Sequence, residues 1–211
     1  MTYKFLLAAC MAGGVMLAFN SKQRGTVVNG AAPTHISDQP VHYASKAIAG
    51  KHIASVKEFA KLNKYNSEIG FFIDMSLPSG SNRFFIYDFR KDSVVHAGLV
   101  THGNCYQYWL EGRKYSNKIG SGCTSLGKYK IGKPYYGKFG LAYKLYGLEE
   151  TNSNALKRFV VMHSHACVPD EEIKDDICQS NGCPTVNPSF LEKLRIIVDK
   201  APRPILLYIY E

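Results

Sequence analysis

Val160-Val161-Met162-His163-Ser164-His165-Ala166-Cys167, followed by Cys178-Gln179-Ser180-Asn181-Gly182-Cys183-Pro184-Thr185, concentrates the nucleophile and base chemistry of this chain. Two of seven histidines and three of six cysteines fall within residues 163–183. The apolar run 158–162 reads as a strand with His163 at its tip. Gly182 lets the chain turn tightly before Cys183, so that amide N–H groups converge on a carbonyl oxygen beside the thiol. A free thiol titrates near about 8.5, which leaves about one in ten or fewer ionised at neutrality; a neighbouring imidazole raises that fraction.

Working outward, Asn187-Pro188-Ser189 starts a helix with proline in its first turn, and Phe190, Leu191, Leu194, Ile197 and Val198 form its apolar face. Pro202 and Pro204 stop it, and residues 205–210 close the chain as a strand. Upstream, residues 70–74, 83–87, 94–100 and 141–148 read as strands separated by turn clusters such as Pro78-Ser79-Gly80-Ser81-Asn82. Residues 55–62 carry a helical stripe of Val56, Phe59, Ala60 and Leu62. The expected class is mostly β (β-rich α+β), with a short helix after Cys183 and a small helical lead-in.

The chain of 211 residues is 45% hydrophobic and 20% charged, which excludes disorder and coiled coil. Residues 1–4 are short and basic, and residues 5–19 are apolar without a charge. As a helix that run reaches only about 22 Å, short of the roughly 30 Å hydrocarbon core, and fits an export signal better than a stable span. The expected organisation is a signal peptide or membrane anchor at 1–20, a tether and lead-in at 21–66, and a catalytic domain at 67–211. Leu7-Ala8-Ala9-Cys10 looks like a lipoprotein box, but only a handful of apolar residues precede it. Export favours disulfides. Cys105, Cys123, Cys167, Cys178 and Cys183 are odd in number, so one thiol stays free. Cys105 and Cys123 flank one loop and Cys167 and Cys178 another, so those pairs are expected, out of three pairings open to four thiols. The alternative is four reduced, buried thiols.

The sequence resembles the murein L,D-transpeptidase (YkuD-type) catalytic domain, in the branch whose nucleophile motif reads Ser-x-Gly-Cys-Pro. Ser180-Asn181-Gly182-Cys183-Pro184 carries the match. His163 lies upstream at the family's spacing. Phe72-Ile73-Asp74, His102-Gly103, Ser125-Leu126-Gly127, Tyr136-Gly137-Lys138-Phe139-Gly140 and the stretch from Gly147 through Arg158 to His163 extend it. Three positions depart: Asn181 where many members have His, Thr185 where many have Arg or Asn, and Ser164 where Gly is usual.

The resemblance implies a YkuD-like β-sandwich or barrel and a peptidoglycan stem-peptide substrate. Cys183 would attack the bond between the third-residue diamino acid and D-Ala, with His163 as base and the Gly182 and Cys183 N–H groups holding the oxyanion. A thioester would pass to a second stem's amine as a 3→3 cross-link, or to water. Ser164 is the candidate to orient His163, and Asn181 to replace the missing histidine. His102, His165 and Ser180 are candidates at the substrate cleft, and Lys144 and Arg158 for gripping a carboxylate. For each of these a structural role competes: a hydrogen-bonded loop histidine, or half of an ion pair.

No cofactor and no metal are expected, nor nucleic acid; the expected form is a monomer in the periplasm or cell envelope of a bacterium, touching membrane only through its N-terminus. The net charge of +9, with Lys128, Lys130, Lys133 and Lys138 interleaved with tyrosines, suits a carboxylate-rich polymer or a plain solvated face. Three rivals remain. His163, His165 and Cys167, with Cys178 or Cys183, would make a zinc shell, although paired Cys-x-x-Cys clips are missing. A non-catalytic wall-binding module is the second. A papain-like peptidase, which orders Cys before His, is the third.

Overall fold

The computed structural model describes residues 48–211; the leader, its Cys10 and the tether up to residue 47 lie outside them. Helix α1 (Gly50–Leu62) precedes β1 (Ile69–Asp74), β2 (Phe84–Asp88), β3 (Ser93–Gly98), β4 (Gly127–Gly137), β5 (Gly140–Gly147), β6 (Val161–Ser164), β7 (Thr185–Val186), α2 (Pro188–Lys200) and β8 (Leu206–Tyr210). The strands form one mixed sheet in the order β3-β2-β1-β8-β4-β5-β6-β7. Beyond β3 the chain bridges β7 at Val100 and Val186, so the two ends of the strand order meet. The mostly β class expected from the sequence is the class observed.

Side-chain alternation along the strands builds two cores. On one face Phe71, Ile73, Tyr129, Leu145, Met162, Leu207 and Ile209 pack with Phe190, Leu191 and Leu194 of α2. On the other, Phe72, Phe85, Tyr87, Leu206 and Tyr210 pack with Val56 and Ala60 of α1. Both faces of β2 are covered, which is why all five of its residues are buried and it reads as an unbroken apolar run. The close approach of α2 has a specific cause. Phe190 lies where a side chain on Gly98 would begin, 2.8 Å from its Cβ position, so only glycine admits the ring.

Asn187 caps α2 by accepting the Ser189 N–H at 2.7 Å, a contact of the kind that contributes about 1 kcal/mol. The cap fixes where the chain leaves β7, and thereby holds the turn before β7. On its other side that turn is tied to the chain leaving β3. Ser180 N–H donates to the His102 carbonyl (2.9 Å), Asn104 N–H to that of Ser180 (2.7 Å), and Thr101 N–H to that of Thr185 (2.9 Å). Two strand-edge ladders therefore hold the residues around Cys183 from opposite directions.

Two elements differ from expectation. Strand β6 begins at Val161 rather than Arg158, because Phe159 takes a left-handed conformation (φ 57°) that breaks the extended chain. Strand β4, read from sequence as a basic surface run, is interior, paired with both β8 and β5. Lys128 survives there at 8% exposure because its Nζ meets Glu149 at 2.8 Å and lies 4.8 Å from the Tyr208 ring centre.

Candidate active site

Gly182 sits at φ +101°, and the Cys123 carbonyl oxygen is 2.6 Å from where its Cβ would stand; both conformation and space demand glycine before the nucleophile candidate. The Cys183 carbonyl accepts Ser180 Oγ (2.6 Å) and Thr101 Oγ1 (3.2 Å). Ser180 Oγ in turn accepts the Gly182 N–H (3.2 Å). The expected oxyanion pair is thus half engaged: Gly182 N–H is bonded to Ser180, while Cys183 N–H has no acceptor among the described residues.

The Cys183 sulfur accepts the Val161 N–H (3.5 Å), and its S–H points to the Phe159 carbonyl (3.8 Å). Burial pushes the thiol pKa up, opposed by the Val161 N–H and by the Arg158 charge. Cys105 and Cys123 are disulfide-bonded, as are Cys167 and Cys178, and Cys183 is the one free thiol among the described residues. The bridges are those expected from the loops, and they remove Cys167 and Cys178 as thiolate ligands for zinc.

His163 is positioned by its strand neighbours, facing Ala142 of β5 on one side and Thr185 of β7 on the other. Its Nδ1 lies 3.0 Å from the Ser164 carbonyl, which can only accept, so Nδ1 carries the proton. Nε2 is then the basic nitrogen, and it accepts the Thr185 hydroxyl at 3.1 Å. The ring is stacked on Phe139, the tip of the β4–β5 hairpin, with centroids 4.2 Å apart. Burial lowers the pKa of His163; the Ser164 carbonyl opposes that and His165 adds to it. The ring is therefore neutral at pH 7, and no hydrogen bond joins it to the sulfur in this geometry.

Thr185, the partner of His163 Nε2, is the residue that the sequence reading passed over, noted there only as a departure from the family pattern. Its register opposite His163 carries the signal, and a strand assignment for 185–186 would have exposed it. Ser164 acts through its main-chain carbonyl rather than its hydroxyl. Ser180 braces the nucleophile turn.

Four other candidates fall in different places. Asn181 is exposed and has no hydrogen-bond partner among the described residues, so nothing here ties it to His163. His165 is exposed, and its Nδ1 accepts the Cys167 N–H (3.1 Å), a structural role at the rim. His102 does not line a cleft: it is 5% exposed and turned toward the fully buried Arg83, whose Nη2 donates to its Nδ1 at 3.2 Å. Lys144 lies over Tyr135 in a cavity of about 850 Å³ with Lys130, Lys133, Tyr146 and Arg203, a space that neither Cys183 nor His163 lines. Arg158 does belong to the site, but its guanidinium is already bonded to Ser125 Oγ (2.8 Å), Ser121 Oγ (3.3 Å) and the Cys123 carbonyl.

No curated protein matches the chain in sequence. Among solved structures it is similar to an L,D-transpeptidase from Xylanimonas cellulosilytica (15% identity, 72% of this chain and 68% of that one, TM-score 0.38). It is also similar to an L,D-transpeptidase from Mycobacterium smegmatis (10%, 68% and 59%, 0.39) and to the helical cell shape determining protein Pgp2 from Campylobacter jejuni (16%, 74% and 55%, 0.39). The chain spans between about half and two thirds of the length of these structures. A family model described as the L,D-transpeptidase catalytic domain matches residues 42–210. With that match over most of its length, the chain belongs to the L,D-transpeptidase catalytic domain family.

Proposed function

We propose that this protein is a cysteine-dependent peptidoglycan L,D-transpeptidase in which Cys183 is the nucleophile and His163 the general base. The observation that carries the reading is the coincidence, at one sheet end, of the free thiol with a neutral histidine. Cys183 Sγ rests on the N–H of Val161, two residues before His163, and Thr185, two residues after Cys183, holds His163 Nε2.

The thiol proton passes from Sγ to His163 Nε2, which requires Nε2 to leave the Thr185 hydroxyl as substrate enters; such contacts commonly tighten only in the substrate complex. Sγ attacks the carbonyl between the diamino acid and D-Ala. The oxyanion lies on the Cys183 N–H, joined by that of Gly182 once Ser180 releases it; one such donor is worth on the order of a hundredfold in rate. Nε2 returns the proton to the departing D-Ala amine, leaving a thioester. An amine of a second stem then attacks and releases the thiol, or water does so and trims the stem.

The two disulfides support an extracytoplasmic location. Among the described residues no helix is long and apolar enough to cross a membrane. The cavity that holds Lys130, Lys133, Lys144 and Arg203, apart from Cys183 and His163, suits a carboxylate-bearing polymer. Residues 67–211 are proposed as the catalytic part. The test is mass spectrometry of wild-type and Cys183→Ser protein incubated with tetrapeptide muropeptides. A wild-type adduct lacking D-Ala, absent from the variant, is expected; an adduct that persists in Cys183→Ser removes Cys183 from the mechanism.

A further inference from the structure

The resting geometry leaves a question of charge. A thiolate at Cys183 forms in a half-buried position, and burial opposes it. The usual counter-charge in a Cys–His enzyme is an imidazolium, but His163 is neutral at pH 7 and both its ring nitrogens are occupied. What faces the sulfur is a short set of groups. From β6 and the chain two residues before it come the Val161 N–H and the Phe159 carbonyl. Just upstream lies Arg158, whose Nη2 is 3.4 Å from the Cβ position of Gly182, the residue preceding Cys183. From the chain after β3, His102 turns away toward Arg83. On the β4–β5 hairpin, Lys138 lies over Phe139 and Lys144 over Tyr135, each engaged with an aromatic ring. From the loop closed by Cys105 and Cys123, Tyr106 adds a phenol near Arg158. Of these, only Arg158 combines a fixed positive charge with a position beside the nucleophile turn.

Arg158 is also held. Its Nη1 donates to Ser125 Oγ, and its Nη2 to Ser121 Oγ and to the Cys123 carbonyl, the same carbonyl that packs against Gly182. All three acceptors are uncharged and lie in or next to the loop that the Cys105–Cys123 disulfide closes. Among the described residues no carboxylate pairs with the guanidinium, so its charge stays available to the sulfur.

Resting on the assignment of Cys183 as nucleophile, we propose that Arg158 is a positioning residue whose charge stabilises the Cys183 thiolate, held in place by the disulfide-closed loop. It is not a clamp for a substrate carboxylate: three of its donor directions are taken by the protein before any substrate arrives. An opposite charge within about 4–6 Å shifts an acid by one to three pH units, and the partial exposure of Cys183 places the expected effect near the lower end.

The experiment reads the thiol without a substrate. The full chain, disulfides intact, is alkylated with iodoacetamide across pH 5–10, and the rate at Cys183 is followed by peptide mass spectrometry. Arg158→Gln is expected to move the midpoint of the rate profile up by about one pH unit, a roughly tenfold loss of thiolate at neutral pH. Arg158→Lys, which keeps the charge without the fork, is expected to fall between that variant and wild type. Should Arg158→Gln fail to fold, the Ser121→Ala/Ser125→Ala pair decides. It keeps the charge but frees two of its three restraints, and a midpoint raised by about half a unit is expected. Unmoved midpoints, or a raised KM for tetrapeptide with an unmoved midpoint, overturn the proposal and favour the clamp. If the midpoints move as expected but no variant and no wild-type protein ever forms an adduct with donor peptide, it is the nucleophile assignment that fails instead.

Discussion

Acidification should destabilise this protein through His102, in a pH window set by its burial. The ring is 5% exposed, and its Nδ1 can only accept from Arg83 Nη2, since a guanidinium has no lone pair to offer. The proton must then sit on Nε2, which has no hydrogen-bond partner among the described residues. Arg83 is itself fully buried and donates twice more to the Val100 carbonyl (2.9 and 2.7 Å). Protonating His102 would place a second cation against the first, away from water. Burial, with Arg83 and then Arg113, pushes the His102 pKa down from 6.5 to about 4, with Asp176 opposing.

The sign follows from which state binds the proton. Between pH 6.5 and about 4 the unfolded chain is protonated at this position and the folded chain is not, so stability rises with pH across that window. The contribution is complete above pH 6.5 and lost as pH falls toward 4. A separation of about 2.5 pH units corresponds to about 3 kcal/mol. The assay is urea unfolding at pH 7.5, 6, 5 and 4 for wild type and His102→Gln, whose side-chain oxygen can still accept from Arg83. Other groups, including His52 and His163, titrate in both proteins and cancel in the difference. The stability advantage of wild type should shrink by about 3 kcal/mol on going to pH 4. A difference that is constant across the series would refute the reasoning, since it would mean His102 accepts its proton in the folded state as readily as in the unfolded one.

Three further outcomes follow from the site. Thr185→Val removes the only group on His163 Nε2 and leaves a buried nitrogen unbonded, so thermal unfolding should show a loss of about 1–2 kcal/mol, with donor-peptide acylation slowed; unchanged stability would show that the Thr185 bond contributes nothing. Phe139→Ala uncovers the face of His163, relieves the burial that lowers its pKa and should move the acidic limb of the acylation profile to higher pH. Gly182→Ala places a methyl group against the Cys123 carbonyl in a left-handed conformation and should abolish adduct formation at Cys183, read by mass spectrometry; retained acylation would show that the turn tolerates a side chain.

The parts of the fold legible in sequence are those whose signals are local. Strand β2 is a run of apolar residues, α2 has Asn187 and Pro188 at its start, and Gly182 announces a turn; all three stand where expected. Strand β4 was missed although its alternation was present: Lys128 and Lys130 share one face, Tyr129 and Ile131 the other. Counted as charge, the lysines looked like surface. What makes them strand residues is non-local, since Glu149 and Tyr208 receive Lys128 and the ring of Tyr146 lies 4.4 Å from Lys130 Nζ. The site divides in the same way. That Cys183 stays unpaired and that His163 lies near a strand end were legible from residue type and spacing. Thr185 and the buried state of His102 were not, because each depends on a partner brought in by pairing between distant strands, β6 with β7 and the chain after β3 with residues 180–185. Lys144 was misplaced for the same reason: parity along β5 puts it beside Tyr135, not beside the sulfur.

The arrangement also explains why four cysteines are consumed around a fifth. The nucleophile turn lies at the end of the sheet, where one strand is only two residues long and regular pairing is weakest. Its walls are two irregular segments, residues 105–123 and 167–178, and a chain without ladder hydrogen bonds loses much conformational entropy when it is ordered. Each segment is closed by its own disulfide, across 18 and 11 residues, a constraint that contributes on the order of 3 kcal/mol by limiting the unfolded state. The first bridge matters most to chemistry, because the carbonyl of Cys123 touches both Gly182 and Arg158. Loosening that loop displaces at once the glycine that shapes the turn and the guanidinium of Arg158. Pairing Cys183 with any of the four would remove the free thiol and open one of these loops together, so among the described residues an odd number of cysteines suits the proposed site.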